Sequence, residues 1–413
     1  MNGSLTWQLA LRYLKGKRSA NAVPVLSRIS MVAIAVSSAA MIIVFSVFNG
    51  FENLAKEQYK AFYPEIRISP VKGKFFAMDD SEVKKLKETK GIKNLAYVLE
   101  DNVLINSGED QRVVTLKGID KNYYKVNEIR QYIVLGSDTV SNGEVPTAIV
   151  GMQIANQMGM NIDNAFTRLT LYYPNEQGSY DPTNPESVVQ YRILKPEGEF
   201  SVQGDFDSRY ILAPLPVVQD LFKAGNKYSS VEISIDSTAN MQAVEKNVKA
   251  LLKSGYKVEN RFEQNKTIYS VMRAEKWAIY AILVLVLVIA SFNMIGALAL
   301  LVLEKQKDIS ILKAMGADRN TIRQLFLLEG VLWSVTGGMT GIILGALVCK
   351  GQQYFRWIKL SSGDSRLQDA YPVLMKWQDF FLVIGTIIII GLLAAWYPAV
   401  RATKAKVFDL KST

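Results

Sequence analysis

Residues 277–303 read WAIYAILVLVLVIASFNMIGALALLVL and carry no charged side chain. About 20 apolar residues span the hydrocarbon core of a bilayer, and lipid offers the backbone no hydrogen-bond partner. A run of this length and polarity is therefore read as a membrane-crossing helix. Three other runs are long and predominantly apolar, with Glu329 near the inner end of the third, so spans are expected at 29–48, 276–303, 325–349 and 379–398. The first follows a basic stretch and contains Ser38-Ala39-Ala40, which resembles a signal-peptide cleavage site. It continues through MIIVFSVF, longer than the roughly 7–15 residues of a signal peptide's apolar segment, and reads as a retained anchor.

The chain has 48 Lys and Arg against 38 Asp and Glu, a formal net charge of +10. A basic balance points to nucleic acid or to a membrane surface, and basic clusters beside the apolar runs favour the membrane. There is no histidine, and Cys349 is the single cysteine. That excludes an internal disulfide, metal sites built on His, and Ser-His or Cys-His catalytic pairs. No GxxxxGK[ST] phosphate cradle occurs, so ATP-driven work requires a separate ATPase. The spans lack paired acids at their centres, which disfavours an intramembrane protease or a proton-coupled carrier.

Residues 1–28 carry Arg12, Lys15, Lys17, Arg18 and Arg28 and no acid, which places this end in the cytoplasm. It is either an interfacial helix with Trp7, Leu11 and Leu14 on one face or a basic tail. The segment 304–324 and the tail 399–413 are also basic and fall on the same side. The loop 350–378 is basic too, but span parity puts it outside. Asn49-Gly50 is expected to end the first helix at the outer surface.

Residues 49–275 form one large outer region. EIRISP (65–70), LAYVLEDNVLIN (95–106), QRVVTLKGI (111–119), YSSVEISID (228–236) and YKVENRFE (256–263) alternate as strands do, while SEVKKLKET (81–89) and MQAVEKNVKALLKSG (241–255) read as helices. Two strand–helix–strand units flanking a middle section predict one α+β domain, with parts at 51–119 and 228–270 and an insertion at 120–227. Within the insertion, PNEQGSYDPTNPE (174–186) is a long loop or hairpin tip between two strands.

The segment EKQKDISILKAMG (304–316) lies between the second and third spans. Glu304, Lys305, Lys307 and Asp308 crowd its first turn, and Gly316 is a helix stop. Ile309, Leu312 and Met315 recur every three residues, which predicts an apolar helix face free to dock into a partner. Gly337, Gly341 and Gly345 in the third span form a small-residue face for helix packing, within the chain or against a second copy.

EKQKDISILKAMGAD (304–318), FNMIGALALLVLEK before it and YPAVRATKAKVFDL near the end resemble the FtsX/MacB-type ABC permeases. LALRYLKGKR (9–18), SVFNGFE (46–52) and FNMIGAL (292–298) are similar to the LolC/LolE permeases of the lipoprotein-releasing system. The resemblance implies an α-helical membrane protein with four transmembrane helices plus a large α+β periplasmic domain, a MacB-like porter part with an inserted β-rich part. It implies a multi-pass protein of the inner membrane of a Gram-negative bacterium, both termini cytoplasmic. The permease itself is non-catalytic, and ATP and Mg enter through a cytoplasmic ABC ATPase docked on 304–316. Further implied partners are a second permease copy or paralogue, a periplasmic lipoprotein chaperone, acylated lipoproteins and membrane lipids, with no nucleic acid. A hook at 173–188, with Pro174, Tyr180, Pro182 and Pro185, would hold the chaperone. Phe48, Phe51, Ile268 and Met272 would line a lipid cavity. The alternatives are a MacB-like efflux permease, disfavoured because no ATPase domain is fused at the N-terminus, and an FtsX-like regulator of a cell-wall hydrolase.

Overall fold

A computed structural model describes residues 23–107, 110–175, 189–252, 255–359 and 370–403. It divides into two compact units, one built mainly from Ala55–Tyr269 and the other from the segments on either side.

The membrane unit holds α1 (Val23–Tyr59) as far as Leu54, α2 (Lys266–Glu304) from Ser270 onward, the short α3 (Gln306–Ala314), α4 (Arg319–Phe355) and α5 (Trp377–Thr403). α1, α2, α4 and α5 are each long and apolar enough to cross a membrane. The glycine stripe packs within the chain. A Cβ on Gly337 would lie 2.6 Å from the Met31 carbonyl oxygen and one on Gly345 2.9 Å from that of Ala39, while one on Gly341 would collide with the Ala35 carbonyl. Residues 31, 35 and 39 on α1 are also spaced by four, so the two backbones meet along matching ridges. On its other side α4 meets α5, where Gly330 faces Ala395 and Gly391 faces Ser334.

α1 does not end at Asn49-Gly50, contrary to expectation. It continues to Tyr59, because both residues serve packing rather than termination. Gly50 leaves room for the Pro372 carbonyl, and Asn49 is fully buried in a polar cluster described below.

The second unit contains ten strands: β1 (Ile66–Pro70), β2 (Ile92–Ser107), β3 (Asp110–Ile119), β4 (Ile133–Gly136), β5 (Thr147–Gly151), β6 (Leu169–Pro174), β7 (Val189–Phe200), β8 (Tyr210–Pro214), β9 (Ser230–Ile235) and β10 (Tyr256–Asn260). The first half of β2 continues an open sheet in the order β10-β1-β9-β2. Its second half pairs with β3 and with β6. The pairs β3–β8, β8–β5, β5–β7 and β7–β6 then close a six-stranded ring. Leu99, Val103, Val114, Leu116, Leu169, Leu171 and Leu194 share one buried cluster in this ring. The expected boundary at 119/120 is therefore not structural, since β2 and β3 are staves of the ring that the inserted strands complete.

A buried ionic group crosses the open sheet. Lys117 Nζ lies 2.9 Å from Glu232 and 3.9 Å from Glu100, and Glu100 pairs with Arg67. Lys117 also reaches the Phe62 carbonyl at 3.5 Å, which ties the chain just beyond α1 to the sheet. Burial pushes the Glu100 carboxyl up, but Arg67 and Lys117 outweigh it and hold it below the usual range. A depressed folded value contributes stability above the unfolded carboxylate value of about 4.3, and that stability is lost as pH falls through the folded value.

Gly341→Ala is expected to lower the thermal stability of the detergent-solubilised protein by about 1–3 kcal/mol, an overpacking cost. Gly296→Ala, with nothing within 4 Å of the added carbon, is expected to leave the melting temperature unchanged. In acid titration followed by tryptophan-independent far-ultraviolet dichroism, Glu100→Gln is expected to flatten the loss of stability below about pH 4.

Candidate functional site

Three surfaces carry the residues singled out from the sequence. The first is the 304–316 segment. Lys305 interrupts the helix between α2 and α3, and its ammonium sits 3.2 Å from Asp308. Gly316 stops the helix as expected, with a left-handed φ of 90° that favours glycine. Its amide donates to the Lys313 carbonyl at 3.0 Å. Asp318 then caps α4 by accepting from the Thr321 amide at 3.0 Å.

The expected docking face at Ile309, Leu312 and Met315 is corrected by this geometry. Ile309 is 2 % exposed and belongs to the buried cluster that also holds Val302, Ile322, Phe326 and Ala402. Leu312 packs against the same cluster. Only Met315 of the three is exposed. The free stripe is Lys307, Ile311, Ala314 and Met315, spaced i, i+4, i+7, i+8. Glu304 is exposed and Asp308 half-buried at the start of the segment. Steps of three and of four residues both keep side chains on one broad helical face, so spacing alone does not say which face meets the bundle.

The second surface lies on the ring of strands. β6 and β7 pair antiparallel, from Leu169 opposite Leu194 to Pro174 opposite Val189. Tyr180, Pro182 and Pro185 lie outside the described residues, as do the N-terminal stretch 1–22 and the tail 404–413. Beside the hairpin runs a row that the sequence reading missed. Val113 faces Leu104, Leu104 faces Tyr172, and Tyr172 faces Tyr191 across four adjacent strands. Val113, Leu104 and Tyr191 are exposed, as is Ile193 on the same face. Exposed apolar rows of this kind mark interaction surfaces. The signal was present in VQYRIL, where apolar residues occupy both faces of one strand.

The third surface is the end of the membrane unit that carries Asn49. The Asn49 amide donates to Asp379 at 2.5 Å, and Lys276 Nζ lies 3.0 Å from both Asp379 and the Asn49 oxygen. α1, α2 and α5 are thereby joined by one closed polar cluster. Lys376 adds a bond to Glu52 at 3.0 Å, and the Leu374 amide donates to the Ser46 carbonyl at 2.8 Å. Phe48 is half-buried, and Phe51 is exposed with its ring edge-on to Tyr371 at 5.0 Å. Met272 is half-buried on α2. Ile268, exposed, belongs to the other unit.

Four apolar helices, a short helix with an exposed stripe and a large domain inserted between the first two helices define a multi-span membrane protein with an inserted α+β domain. Residues 27–251 match the MacB-like periplasmic core domain family, and residues 280–407 match the FtsX-like permease C-terminal family. The chain belongs to the MacB-like periplasmic core domain family and is a permease of the LolC/LolE type. It is 25% identical to the lipoprotein-releasing system transmembrane protein LolE of Haemophilus influenzae, covering 96% of each chain. It is 23% identical to LolC of Xylella fastidiosa and 24% identical to LolC of Neisseria meningitidis, in each case covering 98% of both chains.

Asp379→Ala takes an acceptor from the buried Asn49 and the counter-charge from the half-buried Lys276. The expected loss is about 1–3 kcal/mol, with Asp379→Asn losing less because it keeps an acceptor; chemical denaturation in detergent checks the order.

Proposed function

We propose that this chain is the permease subunit of an ATP-driven complex that extracts lipoproteins from the inner membrane of a Gram-negative bacterium and passes them to a periplasmic chaperone. The observation that carries this reading is the match to both LolE and LolC over 96% and 98% of each chain, together with the family matches at residues 27–251 and 280–407. The termini and the 304–324 segment lie in the cytoplasm, and residues 49–275 in the periplasm.

The energetics require an external drive. An anchor of three acyl chains carries on the order of 45 methylenes, which at about 0.8 kcal/mol each makes extraction into water cost roughly 36 kcal/mol. The chains must therefore pass from bilayer to apolar protein surface to apolar carrier. A separate ABC ATPase supplies the work from ATP and Mg. It contacts Lys307, Ile311, Ala314 and Met315, with Glu304, Lys305 and Asp308 at the rim. Ile309, Leu312 and Gly316 act from behind, fixing α3 to the bundle so that a push on it moves the bundle.

The hairpin that includes Pro174, Tyr180, Pro182 and Pro185 hooks the chaperone, and the Val113–Leu104–Tyr172–Tyr191 row gives it an apolar seat. Phe48, Phe51, Ile268 and Met272 meet the acyl chains where they leave the bilayer. The permease works beside a second permease.

Depletion of the protein, followed by separation of inner and outer membranes, tests the function. Acylated lipoproteins are expected to accumulate in the inner membrane; an unchanged distribution would contradict the proposal. For the ATPase contact, Ile311→Asp and Met315→Asp are each expected to reduce ATPase copurification at least tenfold with normal melting behaviour. Ile309→Asp is expected to lower stability first.

A further inference from the structure

Sheet register brings one set of polar residues to a single end of the open sheet. Ile66 pairs with Asn260 and with Ile233, and Ile92 pairs with Ile235. Glu65, Arg261, Ser234 and Lys93 adjoin those pairs, so β1, β10, β9 and β2 deliver them to the same end. It is the end at which the chain arrives from α1 and leaves for α2. Residues 123–131 lie against it: the Lys125 carbonyl accepts from Asn94 at 3.5 Å, and Asn127 donates to Glu232 at 2.5 Å. Together they line a cavity of about 350 Å³, within the roughly 300–1,000 Å³ of small-molecule sites.

The cavity wall is basic. Lys60, Lys93, Lys125, Arg130 and Arg261 stand against Glu65 and Glu128. Lys60 is paired with Glu57 at 2.7 Å and Arg130 with Asp138 at 3.4 Å, both partners outside the lining. Glu65 accepts from the Ile235 amide. The ammonium groups of Lys93 and Lys125 make no ion pair or hydrogen bond among the described residues. Arg261 is half-buried, and its Nε donates to the Tyr63 carbonyl at 3.0 Å. Its two terminal nitrogens have no hydrogen-bond partner and no ion-paired carboxylate among the described residues. Burial pulls the guanidinium below its usual range, and nearby Glu65 does not make up the difference. A desolvated cation without a partner costs free energy that a bound anion offsets.

We propose that this cavity binds a phosphate group, held by Arg261, Lys93 and Lys125, with the Ser234 hydroxyl as a further donor. The Ser234 oxygen already accepts from Asn94 at 3.2 Å, which leaves its proton to donate. A guanidinium meets a phosphate through two parallel bonds, and ammonium groups bind it as point charges. The three cations come from three separate segments, an arrangement that suits a tetrahedral anion better than a planar carboxylate. Because the site lies on the segments that lead to α1 and α2, a lipid headgroup and free phosphate are both sources of this chemistry. The site stands apart from the permease reading, since it uses none of the residues assigned to that role.

Lysine footprinting of the full chain tests it. The protein is acetylated briefly in phosphate-free detergent, in the same detergent with inorganic phosphate, in nanodiscs of phosphatidylglycerol and in nanodiscs of a phosphate-free galactolipid. Mass spectrometry reads the labelling of each lysine. Lys84 and Lys87, exposed and outside the cavity, are internal references. Relative to them, Lys93 and Lys125 are expected to label about threefold more slowly when the site is filled, the value for two-thirds occupancy. Slowing with inorganic phosphate supports the site and shows that free phosphate suffices. Slowing in phosphatidylglycerol alone supports it with a lipid headgroup as the source. Lys125→Gln is expected to keep the melting temperature and to remove most of the Lys93 protection. Arg261→Gln, which keeps a donor for the Tyr63 carbonyl, is expected to do the same. Equal labelling in every medium would overturn the proposal, as would slowing in galactolipid as strong as in phosphatidylglycerol. Lys93 protection that survives both substitutions unchanged would overturn it as well.

Discussion

The close approach of α1 and α4 is the contact on which the membrane unit depends. Glycine at 337, 341 and 345 allows the α4 backbone to rest on the carbonyls of Met31, Ala35 and Ala39. In lipid no hydrophobic effect drives helices together, so such backbone-to-backbone packing has to supply the association. Once it is made, α5 fits against the other side of α4, and the buried cluster from Ile34 to Ala402 follows. The polar cluster of Asn49, Lys276 and Asp379 then fixes α1, α2 and α5 at one end. At the other end, Ile309 anchors α3 to the same core.

This arrangement gives the unit the mechanical character its proposed role requires. α3 is held by a buried isoleucine and offers a separate exposed stripe. α1 is uninterrupted from Val23 to Tyr59, and the chain just past it is held by Lys117 through the Phe62 carbonyl.

Much of this was legible in the sequence because apolar length and alternation are strong local signals. Each expected span lies inside a longer helix, α1 and α2 running about ten residues further at one end, while the strands at 66–70 and 110–119 appear within a residue of their expected bounds. Three features were not legible, for identifiable reasons. Asn49-Gly50 reads locally as a helix stop, and only the tertiary partners Pro372 and Asp379 turn it into a packing site. Ile309 and Ile311 differ by which side faces the bundle, a fact that helical periodicity alone does not encode. Closure of the ring depends on β2 pairing with β6 more than sixty residues away, so the apolar row at Val113, Leu104, Tyr172 and Tyr191 exists only after folding.

The most direct test of the central claim is reconstitution. The permease and its cognate ATPase are placed in proteoliposomes with a triacylated lipoprotein, and a soluble periplasmic chaperone is added outside. Transfer of the acylated protein to the chaperone that requires ATP hydrolysis, and stops when the ATPase is inhibited, is the predicted result. ATP hydrolysis that depends on the permease but moves no lipoprotein would contradict the account.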